Sequence, residues 1–463
     1  MNDIMTIKNI FSFLLVFALL AFSACSDFVD SYQEDPNNAA DAPIEAVLNA
    51  AFVGTIIAHE GEDARLACMW SRQFTGSDRQ YAALEVYTVN AENFDWDKYY
   101  LVAENSKIVI EKSAETNDKL ASGIARTLQA HSYGMMASMW GDIPYAQANK
   151  FLEFPDPAYD PQPQVYADVQ TLLDQAIADL SGNPSSASAS LDFYFSGDAT
   201  KWSQAASTLK ARFALHTGDY TTAISSATKG VKSTADEWII PHTTGSYNQD
   251  QNIYYSFGQS DREGYMTANV AYLPAILDPA NALYRGNAKT DESARFAFAF
   301  TGEEGAYDLN YDGMWAATAP FPLISAIETE LILAEAEWRG NNDPGAALDH
   351  LNNARAILAA QFPEGTYDAY ELADFDTGGI ASRAGLSRND ALLYEILEEK
   401  YVSLMGQMEV FNDVRRTDNF LEIPATSGNQ LPQRFLYPQE EIDANINAPD
   451  PIPGLFEETP INK

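Results

Sequence analysis

Residues 202–231, WSQAASTLKARFALHTGDYTTAISSATKGV, decide the fold class. Apolar and small residues recur at helical spacing on both sides of residues 218–220, where a glycine permits a tight turn. Small alanines stand where the two helices would touch, at Ala205, Ala206, Ala223 and Ala227. The stretch therefore predicts two helices that pack closely as a pair.

The same pattern recurs along the chain. Residues 324–358 predict a second pair, with its turn at residues 340–344, GNNDP. Residues 119–139 and 164–180 each carry an amphipathic stripe at spacings of three and four, so both predict long helices. Helix pairs whose alanines allow close approach resemble tetratricopeptide repeats. We predict a tetratricopeptide-like helix-pair scaffold with long irregular loops and few short strands.

The loops are concentrated in the middle of the chain and at its end. Residues 236–321 have little helical period and are rich in Asn, Gly, Tyr and Phe, and residues 418–463 are irregular and rich in proline. Ordered loops of this length usually bind something. We expect one domain at residues 43–463, with its helical scaffold at 43–235 and 322–417 and a ligand-facing insertion at 236–321.

The N-terminal residues have the pattern of an export signal. The apolar run at residues 10–22 is too short to span a bilayer and ends in Ser23, Ala24 and Cys25. A cysteine at this point resembles a bacterial lipobox, whose thiol is lipidated. We expect a signal peptide at 1–24, a lipidated Cys25 and a tether at 25–42, although an ordinary signal peptide with a chance cysteine is the alternative.

The charge composition of the chain excludes some classes of binding partner. The chain has 66 acidic and 28 basic residues and a net charge of −38, which repels nucleic acid and anionic membrane surfaces. Membrane contact is therefore expected through the lipid anchor alone. A solvated acidic surface is the simplest explanation of the charge. With Cys25 lipidated, Cys68 is left without a partner for an intramolecular disulfide.

Catalytic signatures are weak. The sequence has no HExxH, GxSxG or P-loop pattern, and carboxylate pairs are inevitable among so many acids. We predict no catalytic residues and no cofactor. Asp308, Asn310 and Asp312 match the start of a calcium loop, but Ala319 at the twelfth position excludes an EF-hand. A solvated turn and a structural calcium site both remain open.

Three aromatic clusters are candidate sugar-binding surfaces, because sugar rings stack on aromatic faces while amides, acids and arginines bind the hydroxyls. The clusters lie around Trp70, around Trp96 and around Trp315. The candidate ligand-binding residues are Trp70, Arg72, Gln73, Arg79, Tyr81, Trp96, Tyr99, Tyr311 and Trp315. The alternative is that these rings belong to the core, and we expect about half of them to be structural.

An ordered series of short motifs resembles the SusD/RagB family of surface lipoproteins, in its starch-binding-associated branch. The motifs run from Cys25 with Asp35-Pro36-Asn37 to Arg434 with Tyr437-Pro438. Between them lie WGDIPY at 140–145, YDPQ at 159–162, GD with KW at 197–202, LILAEA at 331–336, EKY at 399–401 and DVRRT at 413–417. Two places depart from the family pattern, DPAN at 278–281 where Asp-Pro-Arg is expected, and Lys400-Tyr401 in place of Lys-Trp.

The resemblance implies an all-α fold on four tetratricopeptide-like helix pairs. It also implies a non-enzymatic protein, lipid-anchored at the outer membrane and exposed on the cell surface. Such a protein captures an oligosaccharide or polysaccharide and delivers it to a TonB-dependent, SusC-like transporter. The shared motifs are expected to be structural, with Arg415 and Arg416 pairing with buried carboxylates.

Three other functions stay open. A peptide-binding member of the same family would favour grooves that hydrogen-bond a backbone over aromatic platforms. A cell-surface glycoside hydrolase would need a carboxylate pair in an aromatic cleft. A protein-interaction scaffold would show helix grooves and no affinity for small ligands.

Overall fold

The computed structural model describes residues 42–245 and 250–463. The predicted signal peptide, Cys25 and the tether up to residue 41 lie outside the described residues. Residues 47–463 form one compact unit. Within the described ranges, no helix is both long and apolar enough to cross a membrane.

Helices dominate the described chain. In chain order they are α1 Ile44–Glu60, α2 Glu62–Trp70, α3 Arg79–Glu85, α4 Asp97–Thr116, α5 Lys119–Trp140, α6 Gln162–Leu180, α7 Ala199–His216, α8 Tyr220–Ala227, α9 Ile253–Tyr255, α10 Tyr272–Leu277, α11 Ser293–Ala299, α12 Ala326–Ala336, α13 Pro344–Gln361, α14 Arg388–Ser403, α15 Glu409–Arg416 and α16 Gln439–Ala444. Short 3₁₀ segments and two π-helical segments, Ser256–Asp261 and Glu337–Asn341, lie between them.

The strands are short and form antiparallel two-stranded pairs. They are β1 Thr75–Gly76, β2 Ile143–Pro144, β3 Tyr159–Asp160, β4 Trp238–Ile240, β5 Met266–Thr267, β6 Thr290–Asp291, β7 Phe300–Thr301, β8 Asp308–Leu309, β9 Phe321–Ile324 and β10 Thr366–Tyr367. The pairs are β1 with β5, β2 with β3, β4 with β9, β6 with β10 and β7 with β8. The prediction of a helical scaffold with few short strands is confirmed.

The long helices form where the amphipathic stripes predict them. The stripe at 119–139 lies within α5 and the stripe at 164–180 within α6. Helix α5 packs against α4 and α6, and α6 packs in turn against α7. Because α5 is covered on several sides, nearly all of its side chains are buried. Its N-terminus is capped by Asp118, whose carboxylate accepts a hydrogen bond from the backbone N–H of Ala121.

The two predicted helix pairs are α7 with α8 and α12 with α13, and both turn where the sequence predicts. Asp219 caps α8 and Asp343 caps α13 by accepting backbone N–H groups. The pairs contact each other at their turns. A Cβ on Gly340 would stand 2.5 Å from the Cβ of Tyr220, so only glycine allows this approach. The shared core between the pairs consists of Ala211, Ala214, Leu215, Ala223, Ala227, Ile332, Leu333 and Ala336.

Buried ion pairs tie the helices together. The Arg212 guanidinium donates to both carboxylate oxygens of Glu328, at 2.6 and 2.7 Å, and joins α7 to α12. Arg416 likewise binds Glu335 with both terminal nitrogens, which joins α15 to α12. Removal of either partner would be costly, because the other charge would be left unpaired in the core.

Candidate functional site

Six of the nine predicted ligand-binding residues lie in the core. Trp70, Gln73, Tyr81, Trp96, Tyr99 and Trp315 are each at most 3% exposed. Ligand contact at these positions stays a prediction, and their burial weighs against it, because a sugar cannot stack on a ring that has no free face.

Several of these buried residues have their polar groups paired within the protein. Trp70 donates its indole N–H to the Leu84 carbonyl and packs edge-on against Phe411 and Phe435. Trp315 donates to the Ala299 carbonyl at 2.9 Å. Tyr99 donates its hydroxyl proton to Asp63 at 2.9 Å. Each ring thus has its polar group paired inside the fold, as a structural side chain requires.

The amide of Gln73 and the guanidinium of Arg72 join segments of chain that are far apart in sequence. Gln73 donates to the Tyr401 carbonyl and accepts from the backbone N–H of Gly406. Arg72 is partly buried and donates to Glu85 at 2.8 Å and to the Val270 carbonyl at 2.6 Å. These bonds hold the loop after α2 against the segments that surround the candidate site.

The remaining predicted residues, Arg79 and Tyr311, reach solvent, and the structure brings them to one region. The pairing of β1 with β5 places the loop that precedes α3 beside residues 265–267. Ser77 donates its backbone N–H to the Tyr265 carbonyl at 2.8 Å, and its hydroxyl lies 2.6 Å from that of Thr267. Ala268 donates its backbone N–H to the Tyr307 carbonyl at 3.2 Å, which adds the segment that carries Tyr311.

We name this region the tyrosine surface and define it by Tyr255, Tyr265, Tyr311, Arg79 and Arg262. The three rings are partly exposed and the two arginines are exposed. The guanidinium carbons of Arg79 and Arg262 lie 5.9 and 5.7 Å from the centre of the Tyr265 ring. Tyr255 and Tyr311 pack edge-to-face at 6.1 Å.

The surface rests on a rigid base. The buried Tyr81 ring packs against Phe257 at 4.9 Å, and the Arg65 guanidinium lies 4.1 Å over the same Phe257 ring. Arg65 also donates to the Tyr81 hydroxyl at 3.0 Å. Phe257 belongs to the π-helical segment 256–261, a geometry that is common at functional sites.

One glycine sets the position of the Tyr311 ring. A Cβ on Gly258 would stand 1.9 Å from the Tyr311 hydroxyl oxygen, so any larger residue would displace the ring. Burial of the ring raises the pKa of the Tyr311 hydroxyl, which therefore stays protonated and can donate a hydrogen bond.

The tyrosine hydroxyls and the Arg79 guanidinium of the tyrosine surface are available to a ligand, whereas Arg262 donates to the Asp261 carbonyl at 3.0 Å. Among the described residues, the hydroxyls of Tyr255, Tyr265 and Tyr311 have no hydrogen-bonding partner. Arg79 makes only a long ion pair with Asp78, at 3.8 Å between nitrogen and oxygen. Aromatic faces, hydroxyls and guanidinium donors on one exposed surface are suited to a sugar or another polyhydroxylated ligand.

The predicted calcium residues lie next to this surface. Asn310 uses its amide to donate to the Ala297 carbonyl at 2.7 Å and to accept from the backbone N–H of Asp312 at 3.1 Å. Burial raises the pKa of the Asp308 carboxyl. Within the described ranges, no three His, Cys, Asp or Glu side chains are grouped as metal ligands. Calcium binding by Asp308, Asn310 and Asp312 stays a prediction.

The motifs that carry the family resemblance make structural contacts. Asp142 accepts the backbone N–H of Gln162 at 2.7 Å, and Tyr437 donates to the Asp142 carbonyl at 2.7 Å. Arg416 pairs with buried carboxylates as predicted. The same prediction is wrong for Arg415, which donates to the carbonyls of Phe411, Gln433 and Ser138 and to the Asn412 side chain. Burial lowers the pKa of Arg415 to about 9, because none of these partners carries a charge that would offset desolvation.

Paired helices that support an irregular segment with a tyrosine-rich surface define a class of binding proteins on a tetratricopeptide-like scaffold. The family model SusD-like_2, described as "Starch-binding associating with outer membrane", matches residues 36–438. The chain belongs to this SusD/RagB family.

Solved structures of SusD homologues share the fold of this chain. A SusD/RagB family protein from Bacteroides thetaiotaomicron is 22% identical with a TM-score of 0.65, over 88% of this chain and 95% of that chain. A chitin-binding SusD homologue from Flavobacterium johnsoniae is 17% identical with a TM-score of 0.68, over 90% and 98%. A SusD homologue from Bacteroides fragilis is 18% identical with a TM-score of 0.67, over 91% and 100%. No curated protein matches the sequence. These likenesses establish the fold.

Tyr255, Tyr265 and Arg262 are absent from the sequence-predicted site. The signal that could have found them is the richness of residues 236–321 in Tyr and turn residues within a loop segment. Composition alone does not distinguish which of these tyrosines keeps a free hydroxyl, because that depends on long-range contacts such as the pairing of β1 with β5.

Proposed function

We propose that this protein is a non-enzymatic glycan-binding lipoprotein. It captures an oligosaccharide or polysaccharide at the tyrosine surface and delivers it to a TonB-dependent, SusC-like transporter of the outer membrane. The observation that carries the proposal is the match of residues 36–438 to a family described as starch-binding and associated with the outer membrane.

The geometry of the tyrosine surface supports glycan capture. Three partly exposed rings offer stacking faces, and their hydroxyls have no protein partner in the described chain. Each aromatic contact contributes about 0.5–1.5 kcal/mol beyond its buried area, so the expected affinity is modest. Modest affinity suits a protein that must release its ligand to a transporter.

The proposal includes a lipid anchor at the N-terminus of the mature protein. Cys25 is lipidated after removal of residues 1–24, and the acyl chains hold the protein at the outer membrane with its body exposed on the cell surface. With a net charge of −38, the body itself is repelled by anionic lipid headgroups.

The test is calorimetric titration of residues 26–463 with starch oligosaccharides, chitin oligosaccharides, acidic oligosaccharides and mixed peptides. We expect one glycan class to bind, and Tyr265→Ala and Tyr311→Ala each to lower its affinity about fivefold to tenfold. The matched control is Phe151→Ala, which removes a ring that is 75% exposed but lies outside the tyrosine surface.

The outcomes separate the rival functions. Binding of peptides alone would overturn glycan capture in favour of peptide capture. Release of shorter sugars during incubation would instead identify a hydrolase. Unchanged glycan affinity in both tyrosine variants would place the site elsewhere on the protein.

A further inference from the structure

A large cavity lies apart from the tyrosine surface. It has a volume of about 640 Å³ and opens between α11, β9 and the C-terminal ends of α13 and α14. None of the five residues that define the tyrosine surface lines it. The volume is within the range of about 300–1,000 Å³ that is usual for small-molecule sites.

The walls of the cavity are mainly apolar. Phe298 and Phe362 meet edge-to-face at 5.8 Å, and Met314, Leu358 and Met405 extend the apolar lining. Phe298 is 44% exposed, a high fraction for so large an apolar side chain. Apolar side chains that remain in contact with water at the mouth of a cavity favour an apolar occupant.

The free charge that faces the cavity is negative. Glu237 accepts the backbone N–H of Ala326 at 3.0 Å with one carboxylate oxygen. The other oxygen has no hydrogen-bonding partner among the described residues, although desolvation raises the pKa of this carboxyl to about 7. Glu364, a second acid of the lining, is exposed.

Arg295, an arginine of the cavity lining, does not offset this charge. Arg295 donates to both carboxylate oxygens of Glu292, at 2.8 and 2.7 Å, and to Glu399 at 2.8 Å. Its guanidinium is therefore already neutralised by two buried acids. A cation inside the cavity would meet Glu237 and the faces of two phenylalanine rings, both of which attract positive charge.

We propose that this cavity binds an apolar organic cation, with its aromatic or alkyl body packed against the Phe298 and Phe362 pair and its ammonium group at the free oxygen of Glu237. Charge complementarity selects this class over neutral and anionic molecules of the same shape. The proposal is independent of glycan capture, because the two sites share no residue.

The experiment compares three naphthalene probes of nearly equal shape: 1-naphthylmethylamine, 1-naphthalenemethanol and 1-naphthaleneacetate. Each is titrated calorimetrically at pH 8 into the full chain carrying Cys25→Ala, so that no acyl chain competes. We expect the amine to bind, the alcohol to bind about tenfold more weakly, and the acetate not to bind.

Two variants locate the site. Ala297→Trp fills the cavity from an exposed position of α11 and should abolish binding of the amine. Glu237→Gln keeps an acceptor for Ala326 and should lower the affinity for the amine about tenfold while leaving the alcohol unchanged. The matched control is Ala178→Trp, at an exposed position of α6 that does not line the cavity.

Three results would overturn the proposal. They are equal binding of the three probes, binding of the amine that Ala297→Trp leaves intact, and no binding of the amine at all. If the parent also dimerises and Ala297→Trp abolishes the dimer without any amine binding, a second copy of the chain is the occupant instead.

Discussion

Trp70, Trp96 and Trp315 differ from the three rings of the tyrosine surface in their exposure to solvent. The first group is buried, and the indole N–H groups of Trp70 and Trp315 donate to carbonyls inside the fold. The rings of Tyr255, Tyr265 and Tyr311 are partly exposed, and their hydroxyls have no partner within the described chain.

This difference shows what makes a ring available for binding. A buried ring stabilises the fold through packing and a satisfied hydrogen bond, and neither is free for a ligand. A half-exposed ring that is held by its neighbours keeps one face and one hydroxyl for a partner. The two groups should therefore respond in opposite ways to substitution, in stability and in binding.

The largest expected effect is on stability in the buried group. Trp315→Ala should lower the free energy of unfolding by about 3–5 kcal/mol, because it leaves a cavity and removes the bond to Ala299. Tyr265→Ala should lower it by less than about 1 kcal/mol. Denaturant unfolding of both variants measures this, and equal losses would erase the distinction between the two groups.

The buried Arg212 and the exposed Arg79 provide a second comparison of stability effects. Arg212→Met leaves Glu328 unpaired in the core and should cost about 3–5 kcal/mol of unfolding free energy. Arg79→Met removes an exposed charge and should change the stability by less than about 0.5 kcal/mol while weakening glycan binding. Urea unfolding compares the two variants, and a stable Arg212→Met protein would contradict the structural role of the pair.

A smaller effect on stability is expected at Gly258, which lies against the Tyr311 ring of the tyrosine surface. Gly258→Ala should cost about 1–3 kcal/mol, because its Cβ would overlap the Tyr311 hydroxyl and displace the ring. In the background of Tyr311→Ala, the same change should cost less than about 0.5 kcal/mol. A double-mutant cycle by denaturant unfolding tests this, and additive losses would show that Gly258 does not position Tyr311.

The smallest expected effect is the change in stability with pH. His59 and His131 stack at 3.7 Å in the core, and burial lowers the pKa of His59 to about 3 and that of His131 well below its usual value. The unfolded chain binds protons at these imidazoles below about pH 6.5 while the folded chain does not, so stability falls as the pH falls. From pH 7 to 5.5 we expect a loss of about 1 kcal/mol per imidazole.

The matched variant for this prediction is His59→Gln, whose side chain carries no titratable group. The difference in unfolding free energy between parent and variant should shrink as the pH falls from 7 to 5.5, as measured by urea unfolding at each pH. A constant difference would mean that His59 is not held neutral by the fold.

Local patterning in the sequence determined most of the scaffold. The stripes at 119–139 and 164–180 became α5 and α6, and the turns at 218–220 and 340–344 joined the predicted helix pairs. These features depend on spacing and on single residues such as Gly218, Asp219 and Asp343, which act through their immediate neighbours in the chain. The order of short motifs likewise identified the family, which the match to residues 36–438 confirmed.

Tertiary structure alone decided which side chains reach solvent. Tyr81 and Tyr265 have the same side chain, yet Tyr81 is 1% exposed and packs against Phe257, while Tyr265 is partly exposed and lies near two arginines. The difference arises from the pairing of β1 with β5 across nearly 200 residues of intervening sequence. Burial is a property of such long-range contacts, and no local pattern carries it.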